Sequence, residues 1–177
     1  MRPNDPAELQ RINEILKTLI KRHTSQNGTK ETAIAGLSLS HRLEGETCQA
    51  SMYVPSICAI LQGKKRSVIG SRAWTYGAGQ CLAVGVDIPS SFTVVEGSAE
   101  HPFLAVALEV DNFLLTRLVA EIPATAKPEE TIQQGVSVAA LETDVLDAFC
   151  RLTALLDDPE QIPILAPMII REIHYRM

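Results

Sequence analysis

Aromatic residues make up only 5% of this 177-residue chain, with one Trp, three Tyr and four Phe, so its core must be mainly aliphatic. Positive charge is also short. Sixteen Lys and Arg stand against 21 Asp and Glu, a formal charge of −5 at pH 7. A nucleic-acid-binding face needs clustered cations, so the chain alone is not expected to bind DNA. No apolar run is long enough to cross a bilayer, and no basic start precedes an apolar stretch with a small-residue cleavage site. The expected location is cytoplasmic, with no membrane partner. Four cysteines, Cys48, Cys58, Cys81 and Cys150, lie far apart without a C-x-x-C pair. That spacing speaks against a structural zinc site or a disulfide-stapled scaffold and predicts reduced, mostly buried thiols.

Catalytic motifs are missing as well. Neither G-x-G-x-x-G nor G-x-x-x-x-G-K-[ST] occurs, so the usual phosphate cradles are absent. There is no G-x-S-x-G elbow and no H-E-x-x-H. His23, His41, His101 and His174 fall in separate segments and form no H-x-H pair of the kind that seeds a metal site in a small β-barrel. No catalytic residue, metal or cofactor is expected.

What is present is an ordinary globular composition, 46% hydrophobic and 21% charged. Charge is uneven: residues 1–72 carry 11 basic and 6 acidic groups, and the remainder 5 and 15. The sharpest basic patch, Lys64-Lys65-Arg66, reads as a solvated hairpin tip. Residues 1–30 form a helical arm. Asp5 caps it, Pro6 fits its first position, and Glu8 completes a capping-box-like pattern. Leu9, Ile12, Leu16, Leu19 and Ile20 recur at helical spacing until Asn27-Gly28. Residues 31–110 change texture, with short apolar segments at Ile34–Leu39, Gln49–Val54, Ile57–Gln62, Ser67–Ile69, Ala73–Tyr76, Cys81–Val86, Phe92–Val95 and Phe103–Glu109. Turn residues separate them. About eight short strands at this spacing predict an antiparallel barrel or double sheet.

Residues 111–177 return to helical period. Asp111 caps a helix over Asn112–Glu121 that carries Phe113, Leu114, Leu118 and Val119. Ala124–Gly135 reads as a polar loop. A second helix is expected over Val138–Leu156, and a third from Pro163. Leu141, Val145, Phe149 and Leu152 share one face of the second helix and are the expected dimer contact. The third ends at Met177 in an apolar and basic pattern with no stop signal, which points to further chain beyond it. The predicted class is α+β.

An eight-stranded barrel can hold one small ligand. Alternation in Ile57–Gln62 puts Cys58, Ile60 and Gln62 on one face and Ile57, Ala59 and Leu61 on the other. Tyr53, Trp74, Cys81 and Glu109 are the other polar or aromatic groups set within strand-like runs. With Cys58 and Gln62 they are the candidate ligand-binding residues, since buried polar groups need partners.

Three segments carry a family resemblance: Tyr53–Lys65 (YVPSICAILQGKK), Ser71–Pro89 with its Tyr76-Gly77, Cys81-Leu82 and Asp87-Ile88-Pro89, and His101–Asp111 (HPFLAVALEVD). They resemble the N-terminal domain of AraC-type bacterial transcriptional regulators. The tail Ile164–Met177 resembles the helix that leads into that family's DNA-binding half. The resemblance covers most of residues 30–177. It implies a cupin-like barrel (a double-stranded β-helix) followed by dimerising helices, an unidentified small-molecule effector and a homodimer. It also implies contact with DNA only through a helix-turn-helix domain that lies outside these residues. Two other readings stay open: a cupin-like isomerase or hydrolase using a metal at His41, His101 and Glu109, and a redox or electrophile sensor reacting at Cys58 and Cys81.

Overall fold

The computed structural model describes residues 5–24, 27–43, 49–121 and 135–176. The first helix, α1 (Pro6–His23), forms as its signals direct: the Asp5 carboxylate accepts from the Ala7 N–H at 3.0 Å, and Ile12, Leu16, Leu19 and Ile20 are buried. It ends earlier than Asn27-Gly28. Thr24 is the C-cap, with its N–H donating to the Ile20 carbonyl, and Gly28 opens a strand instead.

Among the described residues there are ten strands rather than about eight: β1 (Gly28–Glu31), β2 (Leu37–Arg42), β3 (Gln49–Tyr53), β4 (Ser56–Gln62), β5 (Lys64–Ile69), β6 (Arg72–Gly77), β7 (Gln80–Val84), β8 (Ile88–Glu96), β9 (Phe103–Glu109) and β10 (Val136–Ala140). They make two antiparallel sheets. The larger has the order β1-β2-β9-β4-β7-β10 and the smaller β3-β8-β5-β6. The helices α3 (Thr143–Ala154) and α4 (Ile162–Arg176) join α1 on the outer side of the larger sheet, and α2 (Asn112–Glu121) packs on α4. The result is the expected α+β, cupin-like barrel with an N-terminal helix and three C-terminal ones.

Several boundaries differ from the sequence reading, each for a physical reason. Residues 32–36 turn before β2, with the Leu37 N–H donating to the Ile34 carbonyl, so the strand starts three residues later than its apolar run. The helix expected from Val138 starts at Thr143, because Val136–Ala140 pairs along β7 as the last strand of the larger sheet. Lys64-Lys65-Arg66 is not a hairpin tip. It opens β5, which is flanked on both sides by β6 and β8, and the tip is Gly70-Ser71. Cys48 and most of the Ala124–Gly135 loop lie outside the described residues.

The larger sheet feeds two cores. Leu37 and Leu39, Ile57, Ala59 and Leu61, and Leu104, Val106 and Leu108 pack against α1, α3 and α4. Ile60, Leu82, Val84, Phe103 and Ala105 face the smaller sheet, where they meet Tyr76 and Val94. The alternation read in Ile57–Gln62 therefore holds in phase. Val145, Phe149 and Leu152 are buried in the helix-side core of their own chain, and Leu141 precedes the helix, its N–H donating to the Gly79 carbonyl. Side chains so placed offer no surface to a second subunit. Burying each such large side chain contributes about 1.5–3 kcal/mol.

Gly63 makes the step from β4 in one sheet to β5 in the other. Its φ is +82°, and an added Cβ would lie 2.3 Å from the Glu96 carbonyl oxygen. Only glycine fits there without displacing backbone.

Candidate functional site

Strands β2 and β9 explain why there is space inside the barrel. Their sequences, LSLSHR and FLAVALE, alternate large residues toward the helices with small ones toward the smaller sheet. The register pairs Ser38 with Ala107 and Ser40 with Ala105, so small side chains oppose small ones; Arg42 pairs with Phe103. A floor of serine and alanine cannot reach the opposing sheet. The space left is a cavity of about 380 Å³. Cys58, Leu82 and Val84 extend the floor, and Met52, Tyr53, Lys65 and Phe92 line it from the opposite sheet.

Two cations gather around one ring. Lys65 Nζ lies 4.2 Å from the centre of the Phe92 ring and 5.2 Å from that of Tyr53, and Arg42 Cζ lies 5.2 Å from Phe92. Such contacts are worth about 0.5–2 kcal/mol, more where water is excluded. Arg42 also donates to Thr29 Oγ1. Among the described residues, Lys65 forms no ion pair with a carboxylate. Its neighbour Lys64, pointing the other way, pairs with Glu96.

A row of hydroxyls runs from the cavity into the barrel core. Tyr53 Oη lies 2.8 Å from Ser67 Oγ, which lies 2.9 Å from Tyr76 Oη. Ser67 and Tyr76 are fully buried. Burial, with Cys58 and Tyr53 close by, pushes the Tyr76 phenol far above its ordinary range, so it stays protonated. Burial likewise raises the Cys58 thiol, with Lys65 pulling weakly the other way.

Of the six candidate ligand residues, Tyr53 and Cys58 line this cavity and the other four do not. Gln62 donates from Nε2 to the Pro102 carbonyl at 2.8 Å. Trp74 packs half-buried against the inter-sheet core, away from the cavity. Cys81 opposes Ala59 in register and packs against the helix-side core, on the other face of the sheet from Cys58. Burial raises its thiol too. Glu109 lies at the far end of β9, in an outer groove with Asp111, Phe113, Arg117 and Ile170.

The proposed metal triad is not assembled. His41 contacts the Thr24 carbonyl, His101 sits in an exposed turn, and Glu109 is five positions along β9 from the residue paired with His41. Among the described residues no three His, Cys, Asp or Glu side chains are grouped to hold a metal ion.

Reading single polar residues missed Lys65, Arg42, Phe92 and the small-residue floor. Two signals mark them. The run Leu-Ser-Leu-Ser at residues 37–40 shows one face filled and one left open, and Lys65 shares its phase with the buried Ser67 and Ile69.

Residues 33–177 match the family model described as the AraC-type transcriptional regulator N-terminus. Among solved structures, the apo form of a ToxT variant from Vibrio cholerae strain SCE256 aligns with a TM-score of 0.53 at 10% identity, over 81% of this chain and 55% of that one. Wild-type ToxT from the same strain, with an unsaturated fatty acid bound, aligns at TM-score 0.43 and 10% identity, over 72% and 53%. The AraC-like transcriptional activator CuxR gives 0.41 and 11%, over 80% and 50%. The chain thus spans about half the length of each of these structures. A search of curated proteins finds no match.

Proposed function

This chain belongs to the AraC-type transcriptional regulators, and from that premise we propose that it is the effector-sensing part of such a regulator, taking a small organic molecule into the cavity between its sheets. The observation that carries the reading is the cavity itself, which lies between the two sheets, opens to solvent and is lined by polar and apolar side chains alike. The role is binding, not catalysis, and it belongs in the cytoplasm, where the regulated DNA lies.

The signal leaves through β9. Phe103, Ala105 and Ala107 line the cavity, and three residues beyond Leu108 the same strand delivers Asp111. The Asp111 carboxylate caps α2 by accepting from the Phe113 and Leu114 N–H groups. Its own N–H donates to His174 Nε2 at 2.9 Å, near the end of α4, while His174 Nδ1 donates to the Ile170 carbonyl. A ligand that shifts β9 thereby shifts α4, the helix that would lead into a DNA-binding domain. To the extent that ligand and DNA favour the same arrangement, each strengthens binding of the other.

A second copy of the chain completes the proposal. Because the apolar side of α3 is committed to the chain's own core, the partner would meet α2 and α4, which expose Phe113 (73%), Val119 (63%), Ile164 (70%) and Met168 (65%). Native mass spectrometry of the purified chain tests the whole. A dimer with an organic passenger, reduced to monomer by Met168→Glu with Ile164→Glu, is the expected result. A monomer carrying one metal ion per chain would overturn it and favour the cupin-like enzyme.

A further inference from the structure

We propose that the ligand of the inter-sheet cavity is an organic carboxylate, its anionic head held by Lys65 Nζ and the Tyr53 hydroxyl and its apolar body laid on the small-residue floor. The inference rests on the cavity reading above and names the chemistry that the cavity selects.

The argument is a count of donors. The ammonium of Lys65 offers three N–H donors and no acceptor. What surrounds it is two aromatic faces, at 4.2 and 5.2 Å, and no carboxylate among the described residues. The row Tyr53, Ser67, Tyr76 contains three hydroxyl protons and two links. Ser67 and Tyr76 are fully buried, and the Tyr76 hydroxyl also lies close to that of Tyr53. Either oxygen can donate in each link, so when Ser67 donates to Tyr53 the Tyr53 proton is released toward the open space. Tyr53 lines the cavity, so in that arrangement its proton is offered to a ligand. One end of the cavity thus presents donors beside Phe92, with Arg42 adding a second cationic group near the same ring.

A neutral hydroxyl ligand would satisfy one of these donors and leave the lysine charge without a counter-ion among the described residues, in a half-buried place. A carboxylate has two oxygens and accepts from both at once, and charge-assisted bonds of this kind are about twice as strong as neutral ones. The only carboxylate among the described lining residues, Glu31, sits exposed on the edge strand β1, so it does not occupy the head-group position. Leu82, Val84, Phe103, Ala105 and Ala107 offer an apolar body a surface, with Ser38 and Ser40 beside them.

Isothermal titration of this chain with octanoate and with 1-octanol, which differ only in the head group, reads the inference directly. Octanoate is expected to bind at least tenfold more tightly than octanol. Lys65→Met, which keeps the apolar stem, is expected to abolish that preference, and Tyr53→Phe to reduce it severalfold. Far-UV circular dichroism confirms that each variant is folded, and Arg66→Met, on the outward side of β5, serves as the charge-matched control with the preference intact. Equal binding of the two probes, or a preference that survives Lys65→Met, overturns the carboxylate assignment and leaves the cavity reading standing. Binding of neither probe, or octanoate binding unchanged when Ala107→Leu fills the floor, overturns the cavity reading as well.

Discussion

On β2 and β9 the residues that face the helices are leucine and valine, whereas those that face the second sheet are serine and alanine, closed off by Arg42 and Phe103. The same six-stranded sheet is thus filled on one side and, along β2 and β9, left partly open on the other, beside the smaller inter-sheet core. Both sides come from one period-two pattern, and nothing in the backbone distinguishes them. Side-chain volume alone decides that one face is a load of packed aliphatic contacts and the other a container. The difference separates a packed face from one that, on the proposed function, would supply selectivity: the first on the helix side, the second between the sheets.

That division is easiest to break with aromatic truncation. Phe149→Ala removes a fully buried ring from the helix-side core and is expected to cost about 3–5 kcal/mol in urea unfolding. Phe92→Ala, on a ring that already borders open space, is expected to cost well under half of that. Similar losses would mean that the inter-sheet space is packed in solution. A finer comparison enlarges one alanine on each side. Ala148→Leu, at a position with no exposed surface, is expected to lose about 1–3 kcal/mol through overpacking. Ala107→Leu projects into the cavity and is expected to leave stability within about 1 kcal/mol, or raise it slightly, while excluding ligand.

The smallest effect concerns the thiols, which lie on opposite faces. Burial raises both Cys58 and Cys81 above the ordinary thiol value, so neither presents much thiolate at neutral pH. Alkylation followed by mass spectrometry should be slow on both in the folded chain and fast in urea. The stabilisation attached to these neutral thiols is complete below the ordinary value of about 8.5 and is lost as pH rises beyond it, because the unfolded chain then releases protons that the folded one retains. Rapid modification of Cys58 at neutral pH would revive the electrophile-sensor reading.

How much of this was legible in the sequence follows the same division. The helix-side core was readable: the stripe of α1, the caps at Asp5 and Asp111, and the phase of Ile57–Gln62 all rest on repeated apolar positions. The edge strands were not. Gly28–Glu31 has no apolar alternation, and Val136–Ala140 is short, small and apolar, so it read as the start of a helix. Both are held by backbone ladders, which leave little trace in side-chain identity. The cavity was half legible. Tyr53 and Cys58 were found by looking for polar or aromatic groups inside strands. Cys81 was misplaced because its strand was read without its register against β4, and a one-residue change of phase sends a side chain to the opposite face. Lys65 was hidden in a basic run that looked like solvent-facing charge.

The strand β10 also bears on how such a sensor could be transplanted. It closes the edge of a sheet whose other members end at residue 109, so the barrel and the helices share a single hydrogen-bonded fabric. Anyone grafting the sensing barrel onto a new output by cutting near residue 110 would uncover the β7 edge and strip α3 and α4 from the apolar face they shield. The smallest portable unit is therefore the barrel together with its trailing helices, and a chimera should be joined after α4, where no strand is interrupted.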